Sequence, residues 1–199
     1  MSAYLVTGAS RGIGLELVRQ LASSPPDEVR TIFAAARSST SGPLQELLQQ
    51  HPERVTFVSL DVTDEKSVKE AARHVTDTLA GRGLDVLINN AGVITPGSVE
   101  EMNDLEDTFR VNVTGVHLVT RAFLPLLRNG DRKKVVNIST SVGSIKLQPR
   151  YREMPAPSYK ITKAALNMLT VLYAQELEDA GFTVFCVSPG GLAGANTLH

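Results

Sequence analysis

Tyr159 and Lys163 stand four residues apart in Ser158-Tyr159-Lys160-Ile161-Thr162-Lys163, and the residues that follow, Ala164-Ala165-Leu166-Asn167-Met168-Leu169, read as helix. That spacing puts both side chains on one helical face, within reach of each other. A free phenol titrates near about 10, too high for acid–base work at neutral pH. A neighbouring ammonium favours the phenolate and lowers that value. The pair therefore predicts an acid–base couple with a depressed tyrosine pKa. A solvated helix face would carry the same two residues, so the weight of the reading comes from the rest of the chain.

A second pattern stands at the other end. The apolar run Tyr4-Leu5-Val6 leads into Thr7-Gly8-Ala9-Ser10-Arg11-Gly12-Ile13-Gly14. Three glycines where a strand turns into a helix permit a tight turn and let backbone N–H groups approach a phosphate at the helix N-terminus.

The elements that must position these residues alternate. Candidate strands are Tyr4–Thr7, Val29–Ala36, Val55–Leu60, Val86–Asn89, Lys134–Ser139 and Thr183–Ser188, most of them apolar throughout, as parallel strands covered on both faces are. Helical patterns fall between them: Gly12–Ser23, Leu44–Gln50, Asp64–Ala80 with Thr63 as its N-cap, Val99–Arg110, Val113–Arg128 and Pro157–Asp179. The order predicts one α/β domain over residues 1–199: a doubly wound Rossmann-type parallel sheet with helices on both faces. The stretch Ser141–Pro157 reads as a long irregular loop, of the kind that borders functional sites.

Composition excludes several classes. The chain has 199 residues, 42% of them hydrophobic and 21% charged, with a net charge of −1, which offers no attraction for nucleic acid or an anionic membrane. No apolar run reaches the roughly 18 residues of a membrane span, and the first residues do not read as a signal peptide. Cys186 is the one cysteine, and His51, His74, His117 and His199 have no ligand spacing, so no metal site is expected. A reducing, cytoplasmic setting is expected.

Thr7–Gly14, Asn89-Asn90-Ala91-Gly92 and Tyr159-x-x-x-Lys163, in this order, resemble the short-chain dehydrogenase/reductase family over nearly the whole chain. Val135–Ile145 and the long loop are most similar to its small carbonyl-reductase branch, which includes fungal ketoreductases. The resemblance implies hydride transfer between a nicotinamide and a ketone, aldehyde or alcohol. It implies that Gly8, Gly12 and Gly14 cradle a pyrophosphate, with Ser10, Arg11 and Ile13 in the same turn. Asp61, with Val62, would meet the adenine; Asn90, Ala91 and Gly92 would floor the ribose; the Pro189-Gly190 turn would lie near the nicotinamide. Tyr159 would give the proton, Lys163 would hold the nicotinamide ribose, and Asn112 would anchor a relay water. Counting back from Gly143, the family's serine position falls on Thr140, with Ser139 and Ser141 left open as the acting hydroxyl. A binding or regulatory protein and a non-redox enzyme are alternatives on the same scaffold.

Charge argues the cofactor. An acid after the second strand would bond a ribose 2′-OH, whereas an Arg suits a 2′-phosphate. Here the strand ends Ala34-Ala35-Ala36-Arg37, and Arg11 adds a second cation, which predicts NADP(H). Gly194 stands where the family has a Thr, and the chain stops at His199, so the family's substrate-covering segment and seventh strand are expected to be missing. Apolar excess on Val113–Leu127 and Ala164–Leu177 predicts a homodimer or homotetramer.

Overall fold

The computed structural model describes residues 1–39 and 42–190. In chain order these form β1 (Ser2–Thr7), α1 (Gly12–Ser23), β2 (Val29–Ala36), α2 (Pro43–Gln50), β3 (Val55–Ser59), α3 (Glu65–Leu79), β4 (Val86–Asn89), α4 (Leu105–Phe109), α5 (Gly115–Arg128), β5 (Lys134–Ile138), α6 (Pro157–Glu176) and β6 (Thr183–Val187). The described strands make one six-stranded sheet in the order β3-β2-β1-β4-β5-β6. Every neighbouring pair is parallel; Val6 of β1, for example, lies opposite Ala34 of β2 and Ile88 of β4. This is the doubly wound Rossmann-type sheet that the alternation predicts.

The chain moves outward from β1 to β3, then returns to place β4 on the other side of β1. Ligands of such sheets bind in the crevice at that reversal, beyond the carboxyl ends of the strands. The sheet is buried on both faces over its centre. α1 and α2 pack Leu15, Val18, Leu44 and Leu47 against Val6, Ile32 and Ile88. On the opposite face α3 and α5 bring Val75, Leu79, Phe123 and Leu127 against Leu5, Phe33 and Leu87, and Leu177 just after α6 joins them. Each such side chain removed from water contributes about 1.5–3 kcal/mol.

Three local expectations change. Val99–Arg110 is not one helix: only Leu105–Phe109 is α-helical, followed by a π-helical turn, Arg110–Thr114, that runs directly into α5. The N-cap of α3 is Asp64, whose side chain accepts from the Lys66 amide at 3.0 Å, and not Thr63. Thr63 is engaged elsewhere, since its amide and hydroxyl both donate to Asp61. Within Ser141–Pro157, two stretches of 3-10 helix, Ser141–Gly143 and Ile145–Tyr151, replace the expected irregular loop. No helix among the described residues is long and apolar enough to cross a membrane.

Candidate active site

The turn after β1 and the segment after β4 meet at the sheet's reversal point. Gly8 has φ +67°, and a Cβ there would lie 2.9 Å from the Ala91 Cα. A Cβ on Gly14 would fall 2.3 Å from the Gly8 carbonyl oxygen. Only glycine permits both approaches. Thr7 and Asn90 stitch the two segments together: the Asn90 and Ala91 amides both donate to Thr7 Oγ1 at 3.0 Å, and Asn90 Nδ2 donates to the carbonyls of Thr7 and Gly8 at 2.9 and 3.2 Å. Asn90 is thus a structural tie for the glycine turn as well as part of its floor.

A groove of about 660 Å³ opens over this junction. Gly8, Ser10, Arg11, Gly12 and Ile13 line one side, Asn90, Ala91 and Gly92 the floor, and Arg37, Asp61 and Val62 the far end. Of the expected cofactor-binding residues, these eleven share one groove, while Gly14 lies behind it and gives clearance. Arg37 is exposed at the end of β2, and no carboxylate follows it in Ala36-Arg37-Ser38. Thr63, through its hydroxyl and amide, holds the Asp61 carboxyl below the usual carboxylate range, and Arg37 and Arg110 add to this. Asp61 is therefore an anchored anion at the groove's end, with two guanidinium groups nearby. The glycine cradle, the open backbone amides and the arginines together fit a dinucleotide.

The expected catalytic residues Tyr159, Lys163 and Asn112 lie on α6 and the π-helical turn. Lys163 is only 4% exposed, and its Nζ donates to the Ile138 carbonyl at the end of β5 at 2.7 Å. Burial pulls its pKa down to about 8, against an opposing pull from Cys186. The same Nζ lies 5.5 Å from the centroid of the Tyr159 ring, within the about 6 Å of a cation–π contact. Burial pushes the Tyr159 phenol above its ordinary value. The expected lowering is overturned because the ammonium faces the ring and is held by Ile138, so desolvation alone governs the hydroxyl.

Asn112 is wholly buried in the π-helical turn, a distortion frequent at functional sites. Its Oδ1 accepts from the Val93 amide at 2.8 Å, and its Nδ2 donates to the Val93 carbonyl and to Thr162 Oγ1 at 2.9 and 3.1 Å. Both amide protons are thereby used, and the side chain braces the π-helical turn against α6 and the segment after β4. A Cβ on Gly92 would come 3.2 Å from Asn112 Oδ1 and 3.8 Å from Lys163 Nζ. Gly92 therefore joins the groove floor to Asn112 and to Lys163 on α6.

The three candidate hydroxyls have distinct partners. Ser139 is 4% exposed and donates to Asn167 Oδ1 at 2.6 Å. Ser141 pairs with the Tyr151 hydroxyl at 2.5 Å. Among the described residues the Thr140 hydroxyl makes only a long contact, accepting from the Val142 amide at 3.4 Å, which leaves it the least committed. The turn that follows packs on α6, since a Cβ on Gly143 would fall 2.7 Å from the Lys163 carbonyl carbon. Pro189 and Gly190 follow β6 and do not line the groove; Ser188 beside them accepts from the Ser141 amide at 3.3 Å. Gly194 and His199 lie outside the described residues.

Two sets of residues escaped the sequence reading. Thr162 links Asn112 to α6, and Ser158 donates to Asp104 at the start of α4. A buried chain also runs beneath the strands. Asn89 Nδ2 donates to Thr120 and Asn137 at 3.0 and 2.9 Å, Asn137 Nδ2 to Thr170 at 2.8 Å, and the Cys186 thiol to Thr170 at 3.1 Å. The available signal was the presence of Asn89 and Asn137 inside otherwise apolar strand runs.

The family model described as short chain dehydrogenase matches residues 2–198. The chain belongs to the short-chain dehydrogenase family. It is 36% identical to the short-chain dehydrogenase/reductase AacuF of Aspergillus aculeatus over 99% of its own length and 76% of that protein's. It is 35% identical to the estradiol 17-beta-dehydrogenase 2 of Mus musculus, over 95% of this chain but 48% of that one. Among solved structures, the carbonyl reductase from chicken fatty liver, determined with NADPH bound, superposes with a TM-score of 0.88 at 34% identity, covering 95% of this chain and 76% of that one. The Sniffer protein of Caenorhabditis elegans gives a TM-score of 0.86 at 35% identity, over 96% of this chain and 86% of that one. The short-chain dehydrogenase fold and the carbonyl-reductase likeness expected from the sequence both stand.

Proposed function

We propose that this chain is an NADP(H)-dependent carbonyl reductase. The observation that carries the reading is the meeting of Gly92, Asn112 and Lys163 where the dinucleotide groove reaches the catalytic helix. A nicotinamide dinucleotide in that groove supplies the hydride. Tyr159 gives its proton to the substrate oxygen. A phenol raised by burial is fully protonated at neutral pH, which suits an acid in the reducing direction. Lys163, charged below about 8, holds the nicotinamide ribose and lies against the Tyr159 ring. Thr140 offers the hydroxyl that steadies the carbonyl oxygen, since Ser139 and Ser141 are already paired. Asn112 braces the groove floor against α6.

Arg37 and Arg11 support NADP(H) over NAD(H), because both line the groove and the position that would carry a ribose-binding acid is Arg37 itself. The NADPH-bound chicken reductase is in keeping with this choice. The single thiol, hydrogen-bonded to Thr170, suits a reducing compartment such as the cytoplasm. We also infer self-association through α6, where Met168 and Leu172 are 60% and 54% exposed. The excess apolar surface of α5, by contrast, is used inside the domain.

The test is NADPH oxidation against a panel of ketones and aldehydes, with cofactor binding followed in parallel. Turnover with NADPH preferred over NADH is the expected result. Tight cofactor binding without turnover across the panel would sink the reductase reading in favour of a binding protein.

A further inference from the structure

A second cavity, of about 750 Å³, adjoins the first two turns of α6. Its walls come from the segment after β4, the turn after β5, the stretch that precedes α6, and α6 itself. All four follow the carboxyl ends of β4 and β5, at the same edge of the sheet as the dinucleotide groove. The cavity shares a wall with the reaction centre: Gly143 lines it, and the other side of Gly143 rests on Lys163. The Gly97 amide closes the rim by donating to the Pro155 carbonyl at 2.8 Å.

The lining is chemically uneven. Val99, Ile145, Met154, Pro155 and Ile161 make it apolar. Val99 and Ile145 are 73% and 85% exposed, large aliphatic groups left in water at the mouth of a cavity. The polar groups are Ser98, Gln148, Arg152 and Lys160, and no carboxylate is among the lining residues. Three of the four are engaged within the protein. Ser98 donates to Glu101, Gln148 to the Val142 carbonyl, and Lys160 to the Tyr151 carbonyl. Arg152 has no hydrogen-bond or ion-pair partner among the described residues. An apolar cavity with one uncommitted guanidinium recognises an apolar molecule that carries a carboxylate, which the planar fork of Arg can bind bidentately.

We propose that this cavity receives the apolar body of the substrate and that Arg152 binds its carboxylate, so that the substrates are apolar ketones or aldehydes bearing an acid group. This rests on the reductase reading. In the reaction the carbonyl carbon gains the hydride from the reduced nicotinamide and the oxygen gains the Tyr159 proton, giving an alcohol. The carboxylate is unchanged.

The experiment separates the cavity from the chemistry. cis-Parinaric acid and its methyl ester are titrated into the full chain and followed by fluorescence. The acid is expected to bind about tenfold more tightly than the ester, the scale of one charge-assisted contact. Arg152→Gln should erase that difference, and Ile145→Glu should weaken binding of both probes. Both side chains are exposed, so neither change threatens the fold. Decanoate should compete with the ketone in NADPH oxidation, raising KM and leaving kcat unchanged. Equal affinity for acid and ester, or an Arg152→Gln protein that still prefers the acid, overturns the carboxylate assignment. Acid binding that leaves the KM unmoved overturns the substrate assignment. A failure of all carbonyl turnover, with the acid preference intact, counts instead against the reductase reading.

Discussion

Asn112 and Thr162, fifty residues apart in the chain, share a hydrogen bond of 3.1 Å that ties the π-helical turn to α6. Thr162 passes the constraint on by donating to the Tyr159 carbonyl at 3.0 Å. Both residues are fully buried. Thr162→Val keeps the shape but leaves an Asn112 amide proton unpaired, a loss of about 1–3 kcal/mol in stability. Denaturant unfolding should show that loss. Turnover should fall more than cofactor affinity, and Thr162→Ser should restore both.

Tyr159→Phe removes the proposed proton donor and little else, because the ring contact with Lys163 remains. The expected result is a fall in kcat of roughly 10²–10⁴-fold, the range for a lost general acid. NADPH affinity should be unchanged in an equilibrium titration. A variant that keeps most of its turnover would move the acid role elsewhere.

The pH profile should carry the signature of Lys163, not of Tyr159. The phenol is raised by burial, so its acid form persists above the ordinary range. Lys163 loses its proton as pH rises through about 8. Reduction should therefore be level near neutrality and decline as pH passes about 8. A limb set by a tyrosine lowered towards neutrality would contradict the geometry at Ile138.

Arg37→Ala should weaken NADPH binding by about tenfold or more, the value of a lost charge-assisted hydrogen bond, with NADH affinity held within about twofold. The ratio of KM values for the two cofactors is the measurement. A proportionate loss for both would show that Arg37 senses no 2′-phosphate.

Gly14→Ala and Gly12→Ala should differ sharply. The first puts a methyl 2.3 Å from the Gly8 carbonyl oxygen, so the turn cannot keep its shape and dinucleotide binding should be lost. The second meets open space at φ +59° and faces only backbone strain, about 1–2 kcal/mol. Cofactor titration and thermal unfolding of the two proteins would separate clash from strain.

Central elements were legible because one cause dominates them. Val29–Ala36 and Val86–Asn89 are observed at the bounds their apolar runs predict, since burial on both faces leaves little choice. The failures lie where partners distant in sequence decide. Thr63 looked like a cap until Asp61 took its hydroxyl. The segment before α4 looked helical by its apolar spacing, yet it must leave the end of β4 and reach Asp104, which Ser158 holds from α6. The tyrosine–lysine spacing was legible, but the electrostatics were not, because they depend on where the Ile138 carbonyl lies. Thr162 was invisible as a functional residue because its partner Asn112 reaches it only through the π-helical turn.

The buried chain from Asn89 through Asn137 and Thr170 to Cys186 crosses three strands and two helices. Its largest effect falls on sheets that do not form. A slip of β5 by one residue would turn Asn137 to the opposite face and leave one Asn89 amide proton without its partner in an apolar layer. Val135 and Val136 on the same strand would tolerate that slip, since either fits a dry interior. The two asparagines therefore act as a register key, rejecting mispaired strands that hydrophobic matching alone would accept, and so they set the height at which α6 carries Tyr159 into the site.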